Sequence, residues 1–311
     1  MATVFIDGAA GTTGLRIRER LAGRGDITLI ELDEDRRKDP SARQDALNRS
    51  DAAILCLPDA AAAEAVSLLD PDNVHTAVID TSTAHRTAAG WVYGFPELTG
   101  LREKIRASKR IANPGCHASG FIALTAPLVE TGILPKDAAL SAFSLTGYSG
   151  GGKKMIAEYE APEPSPLLSA PRMYGLGQTH KHLPEMNAVT ALTVPPVFCP
   201  IVAPYYAGME VTIPLFAGQI EGTAADIAEV YRSYYGRSPG AVRFKEGADE
   251  AGFLSAAAFA GRDDMEISVF GNGERILVCA RFDNLGKGAS GAAVQNLNLL
   301  LGADEFTGLV V

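Results

Sequence analysis

The sequence predicts an α/β protein of two domains. A parallel sheet with helices on both faces comes first, and an α+β domain with a mixed or antiparallel sheet follows. Three observations carry this. Short apolar, β-branched segments alternate with helix-like segments over the first third of the chain. After Cys116, longer strand-like segments follow one another with few helices between them. The chain has 311 residues, 47% of them hydrophobic, enough for about two cores.

Taken in order, ATVFI is a short strand ending at Asp7-Gly8. TTGLRIRERLAGRG reads as a helix with Leu15 and Leu21 on its apolar side and Gly23 or Gly25 as its stop. ITLIEL and DAAILCLP are the next strands, the latter closed by Pro58. DAAAAEAVSLL is a helix for which Asp59 is the expected cap, and HTAVIDTST is a fourth strand. In the second part ALSAFSLTG, VFCPIVA, MEVTIPLF, AVRFKE, MEISVF and ERILVCARF read as strands, and TAADIAEVYRSYYG as a helix. EAPEPSPLLSAPRMYGLG is an irregular, Pro-rich excursion, of a kind that is usually functional or meets another subunit. GASGAAVQNLNLLLG is a closing helix. The expected boundaries are 1–115 with 286–311 for the first domain, and 116–285 for the second.

The charge balance is 28 Lys+Arg against 37 Asp+Glu, a net −9. That argues against a nucleic-acid partner but leaves room for a local basic pocket. MATVFIDGAAGTTG lacks the basic and apolar regions of a signal peptide, and no apolar run reaches the ~18 residues of a membrane span. The four cysteines, Cys56, Cys116, Cys199 and Cys279, are far apart in sequence. That fits neither a disulfide scaffold nor a zinc ribbon, and a reducing, cytoplasmic location is expected. Cys56 and Cys279 lie in apolar strand-like runs and read as small buried hydrophobes.

FIDGAAGTTGL places Gly8, Gly11 and Gly14 between the first strand and the first helix. Glycine permits the tight turn and lets backbone N–H groups approach a phosphate at the helix N-terminus, where Thr12 and Thr13 add hydroxyls. In the first βα unit of a parallel sheet, this turn points to a Rossmann-type dinucleotide-binding domain. Glu31 stands 20 residues after Gly11, where an acid accepts a ribose 2′-OH and favours NAD. Arg36 and Arg37 follow and could hold a 2′-phosphate, so these residues leave NAD and NADP open.

In NPGCHASG a thiol stands where a loop becomes a helix. A thiol attacks only as thiolate, so its pKa of about 8.5 must fall, as it does at helix N-termini. Cys116 is therefore the candidate nucleophile, and His117 a structural neighbour. In GQTHKHLPEM, His180 and His182 fall on one side of an extended segment, with Glu185 beyond Pro184. A base oriented by a carboxylate suits this group better than a metal, for which no third ligand stands out. A nicotinamide and a thiolate together interconvert an aldehyde and an activated acyl group.

GAAGTTG, DTSTAHR, YGFPEL, NPGCHASG, THKHLPEM and DNLGKGASGAAVQN occur in this order across nearly the whole chain. Together they closely resemble the N-acetyl-γ-glutamyl-phosphate reductases of arginine biosynthesis, in their shorter type, relatives of aspartate-semialdehyde dehydrogenase. NPGC points only to the wider superfamily; H-x-H-x-P-E is the more specific signal. The resemblance implies NADPH as reductant, Cys116 as nucleophile and His182 as base, with His180 and Glu185 holding substrate or orienting the base. It implies an acyl phosphate or semialdehyde and phosphate as small-molecule partners. Ser82 and Arg86 become candidates for cofactor or substrate contact, Asn113 and Lys153 for substrate, and Asn284 and Gly286 for the cofactor. A homodimer or homotetramer built through the second domain is expected, because long sheets there need cover. The alternatives are a reductase for an aspartyl or aminoadipyl phosphate, a non-catalytic NADP-sensing protein, and a hydrolase with a metal on His180 and His182.

Overall fold

The computed structural model describes residues 1–236 and 240–311. They form two compact units, Met1–Gly115 with Ala289–Val310, and Cys116–Gly288 with Val311.

The first unit is built on a six-stranded sheet of β1 (Ala2–Asp7), β2 (Ile27–Ile30), β3 (Ala52–Leu55), β4 (Ala77–Asp80), β5 (Val92–Tyr93) and β6 (Arg110–Ala112). Its strand order is β2-β1-β3-β4-β6-β5, and every pair is parallel. Side chains alternate between its two faces. Val4, Ile6, Ala52, Ile54, Ala77 and Ile79 pack with Ile17 and Leu21 of helix α1 (Thr12–Leu21). Phe5, Ala53, Leu55 and Val78 pack with Ala46 and Leu47 of α2 (Pro40–Arg49) and Ala62 and Ala65 of α3 (Asp59–Ser67). Ile105 of α4 (Leu101–Ala107) joins the first of these cores.

Two local expectations are corrected. Leu15 is 39% exposed, while Ile17 and Leu21 form the buried face of α1. Asp59 is inside α3 and Pro58 occupies the cap position; the Asp59 carboxylate instead accepts from Thr83 N at 2.9 Å and from Thr83 Oγ1.

The second unit carries a seven-stranded mixed sheet. Its strands are β7 (Ser141–Gly147), β8 (Arg172–Met173), β9 (Val197–Ala203), β10 (Met209–Phe216), β11 (Val242–Phe244), β12 (Met265–Gly271) and β13 (Arg275–Phe282). The order is β11-β12-β13-β10-β7-β9-β8; β7–β9 and β11–β12 are parallel and the other pairs antiparallel. Helix α5 (Cys116–Glu130) lies on β10 and β13, where Gly120 permits close approach: a Cβ there would meet Val211 Cγ2 at 2.5 Å. Pro127 cannot donate to the Ala123 carbonyl one turn back, and Tyr235 Oη of α8 (Ala224–Gly236) donates to it at 2.7 Å. The glycine-rich segment after β7 opens a further helix, α6 (Gly152–Tyr159), and α7 (Leu183–Thr190) packs on α5. A π-helical turn, Gly286–Ser290, leads into α9 (Gly291–Leu301) of the first unit, whose Ala293, Val294 and Leu297 complete the α1 side of the parallel sheet.

Candidate active site

In the first unit the glycine turn is under tight steric demand. Gly8 has φ +86°, and a Cβ on it would lie 2.3 Å from the Cys56 carbonyl oxygen. A Cβ on Gly14 would meet Gly8 O at 2.6 Å and Ala9 Cα at 2.8 Å. Gly11 donates its N–H to Gly8 O at 2.9 Å and stands at the cap of α1, so Thr12 and Thr13 form the first turn of that helix. The amides of a helix's first turn have no partner within the helix and are suited to an anion. A cavity of about 520 Å³ opens beside this turn. Gly8, Ala9, Leu15, Glu31, Arg37 and Lys38 are among the residues lining it; Arg36 is not.

Gly8→Ala places a non-glycine residue in the left-handed region, which alone costs about 1–2 kcal/mol, and forces the Cys56 carbonyl away. A fall of several degrees in Tm together with weakened dinucleotide binding is expected. Thermal melting and nucleotide titration of the variant check it, and unchanged values for both would remove the turn's assigned role.

Several of the residues expected to contact ligands also make hydrogen bonds within the fold. Ser82 is buried; its N–H and Oγ both donate to the Asp80 carboxylate at 2.8 Å, which also lies 2.6 Å from His85 Nδ1. Asn113 is 1% exposed, donating from Nδ2 to Ala289 O at 3.0 Å and accepting at Oδ1 from Asn296 Nδ2 at 3.1 Å. Arg86 donates from Nε to Asn113 O and from Nη2 to Thr81 O, both at 3.0 Å. Arg86 thus braces the first unit's chain at Asn113.

The same holds in the second unit for Asn284, which accepts from Gly208 N and donates to Ser149 Oγ, each at 3.0 Å. Gly286 is needed for packing, since a Cβ there would fall 1.9 Å from Arg262 O. Gly288 lies against Cys116: a Cβ on it would stand 2.9 Å from Cys116 Cβ. Lys153 is exposed on the first turn of α6.

Cys116 is the first residue of α5 and is partly exposed. Two other thiols are poor nucleophiles: burial pushes Cys56 up to about 12 and Cys279 up to about 11. Beside Cys116, His117 is 2% exposed, with Nδ1 2.6 Å from Ser144 Oγ and Nε2 2.6 Å from Tyr174 Oη. Burial, with a smaller contribution from the His180 charge, pushes His117 down to about 3. It is a neutral ring at every working pH, so it is no proton donor of the imidazolium type.

His180 and His182 gather around it, with ring centroids 5.6 and 5.7 Å from His117 and 4.7 Å from each other. They do so from a turn and not from the extended segment expected. His182 occupies the cap position of α7, its N–H donating to His180 Nδ1 at 3.2 Å. Glu185 is buried in the first turn of α7, three residues on and therefore on the same side of the helix as His182.

Sequence reasoning missed Tyr174, Ser144 and Phe198. Tyr174 is placed by its N–H donating to Pro200 O at 3.0 Å and by Gly175 at φ +63°. Burial, and after it the charge of Cys116, raises the Tyr174 phenol above its ordinary range, so it stays protonated close to the thiol. Phe198 packs edge-on to His117 and His180, at 5.4 and 5.1 Å. No group of three His, Cys, Asp or Glu side chains arranged for a metal occurs among the described residues.

The family model "Semialdehyde dehydrogenase, dimerisation domain" matches residues 116–284. The N-acetyl-gamma-glutamyl-phosphate reductase of Brucella anthropi is 47% identical, over 96% of this chain and 98% of that protein. The protein of the same name from Sinorhizobium medicae is 44% identical over 96% and 99%. Among solved structures, aspartate semialdehyde dehydrogenase II of Vibrio cholerae superposes with a TM-score of 0.69 at 16% identity, over 97% of this chain and 99% of that one. The aspartate semialdehyde dehydrogenase of Francisella tularensis gives 0.71 at 14%, over 97% and 100%. These two share the fold, whereas the identity to the reductases extends over nearly the full length of both chains, and this chain belongs to the N-acetyl-γ-glutamyl-phosphate reductase family.

Proposed function

We propose that the chain reduces N-acetyl-L-glutamyl 5-phosphate to N-acetyl-L-glutamate 5-semialdehyde with release of phosphate, as a step of arginine biosynthesis. The observation that carries the mechanism is the cluster of Tyr174, His180 and His182 around His117, next to a thiol at the start of a buried helix. Membership of the family carries the substrate.

In this reading the first unit binds NADPH and the second performs the acyl chemistry. The glycine turn suits the pyrophosphate, because it leads into the first turn of α1, whose backbone amides lack partners within the helix, and because Gly8 and Gly14 keep the turn tight. Gly8, Gly11, Thr12, Thr13 and Gly14 would hold it, and NADPH, when bound, supplies a hydride to a carbonyl carbon. Cys116 thiolate attacks the acyl phosphate carbon; the C–S bond forms, the C–O bond to phosphate breaks, and phosphate leaves. Cys116 then carries the acyl group as a thioester. His182 supplies the proton to the carbonyl oxygen as charge develops there and takes it back as the C–O double bond re-forms, so that the C–S bond breaks and Cys116 departs as thiolate. His180 and Glu185 orient His182 or hold substrate, Tyr174 adds a protonated hydroxyl beside the thiol, and Lys153 attracts the substrate phosphate. Arg86 and Asn113 position Cys116 through the loop they brace, and Asn284 and Gly286 support the turn that presses Gly288 against it.

The outward face of the mixed sheet exposes Phe143, Val197, Phe216 and Leu277, between 40% and 65%. Strand register puts them on one side, and such a face suits a homodimer or homotetramer. Sedimentation equilibrium reads this directly; a monomer at working concentration would remove it. No helix among the described residues is long and apolar enough to cross a membrane. A cytoplasmic enzyme is the reading the free cysteines favour.

The test of the function is the reverse reaction, with N-acetylglutamate semialdehyde, NADP⁺ and phosphate, following NADPH absorbance. Phosphate-dependent NADPH formation is expected with this substrate and not with aspartate semialdehyde. A signal with aspartate semialdehyde alone overturns the substrate, and none with either overturns the chemistry.

A further inference from the structure

Glu31 follows β2 directly, at the carboxyl end of the strand beside β1, and lines the cavity next to the glycine turn. An acid at that position of a Rossmann unit accepts the ribose hydroxyls of NAD and repels a 2′-phosphate. A reductase that uses NADPH must defeat this repulsion.

Arg18 stands on α1, three residues after Leu15 and so on the same helix face; both side chains line the cavity. Its Nε lies 2.6 Å from Glu31 Oε1. The charged residues lining the cavity are Asp7, Arg18, Glu31, Arg37, Lys38 and Arg43. Asp7 and Arg43 pair with each other at 3.0 Å, and Arg18 offsets the Glu31 charge in a half-exposed pair, less open to water at its acid than the Arg37–Glu34 pair. Arg37 and Lys38 remain as the surplus, and the Arg37 guanidinium pairs with Glu34, whose side chain is 85% exposed. An exposed partner of that kind is weakly held and readily exchanged for a phosphate.

We infer that Arg18 sets the cofactor preference: by engaging Glu31 it converts an NAD-type acid into a site that tolerates the 2′-phosphate, which Arg37 and Lys38 then hold. Arg18 is a specificity-determining residue acting through Glu31. The inference rests on the first unit being the NADP(H)-binding domain.

Isothermal calorimetry with NADP⁺ and with NAD⁺, on the full chain and without substrate, tests it. Wild type is expected to prefer NADP⁺. Arg18→Gln keeps a good helix former and exposes the Glu31 charge; NADP⁺ binding is expected to weaken about tenfold or more, with NAD⁺ binding kept or improved. Arg18→Gln combined with Glu31→Gln is expected to recover most of the NADP⁺ affinity, because the repelling charge is gone. Failure of the double variant to recover would overturn the inference, since Arg18 would then be holding the phosphate itself. An unchanged NADP⁺ to NAD⁺ ratio in Arg18→Gln, with wild-type melting behaviour, would overturn it as well. A wild type that binds neither nucleotide would overturn the domain reading along with it, an outcome distinct from the other two.

Discussion

Cys116→Ser is expected to lose turnover by about 10³-fold or more while NADP⁺ still binds with near wild-type affinity. The serine hydroxyl is close in size to the thiol, so Gly288 and the start of α5 need not move. What changes is chemistry. An alkoxide is far harder to form than a thiolate and is a far poorer leaving group from the tetrahedral adduct. Neither Cys56 nor Cys279 can substitute, since burial holds both thiols protonated at neutral pH. Steady-state assay of the reverse reaction and nucleotide titration of the same preparation give the two readings. Near-normal turnover would exclude the thioester route, and loss of nucleotide binding would mean that the substitution had damaged the fold.

The backbone demands of the sequence were the most legible. The tight turn at Gly8 and Gly14 was readable because only glycine fits there, and the start of a helix at Cys116 because the Pro-Gly pair before it ends a loop. The alternation of Val4, Phe5 and Ile6 between two cores is the doubly covered sheet that the apolar strands imply. The resemblance to the reductase family is borne out over the length of the chain. Helix α2 escaped notice because its buried residues, Ala42, Arg43, Ala46 and Leu47, include two alanines and an arginine and leave a faint apolar period. Helix α6 was hidden by the glycines that open it.

The side-chain directions were the least legible. The family motifs make Ser82, Asn113 and Asn284 candidates for ligand contact, but a motif does not tell which way an amide or hydroxyl points, and each makes hydrogen bonds within the fold. Tyr174 sits in an irregular segment with no period to reveal it. An aromatic residue just ahead of the H-x-H pair, between Pro and Gly, was the available signal.

Acid destabilisation should expose His117. Its folded-state pKa is near 3 and its ordinary value 6.5, because burial and the His180 charge disfavour the imidazolium. Between these values the unfolded chain binds a proton that the folded chain does not. The contribution is therefore fully present above pH 6.5 and is lost as pH falls toward 3, by about 1.4 kcal/mol for each pH unit. Carboxylates add their own acid slope, so the comparison must be with His117→Gln. That variant is expected to be less stable at pH 7, having disturbed the bonds to Ser144 and Tyr174, yet to lose stability more slowly on acidification. Urea unfolding from pH 7 to 4.5 measures both slopes, and equal slopes would refute a buried neutral ring. The same property bears on catalysis. A ring that stays neutral cannot shuttle the proton, so the acid limb of the pH–rate profile belongs to another group. In the proposed mechanism that group is His182, at the cap of α7 with its ring 5.7 Å from His117. In His117→Gln that limb should persist, whereas in His182→Asn it should vanish along with a roughly 10²–10⁴-fold share of the rate.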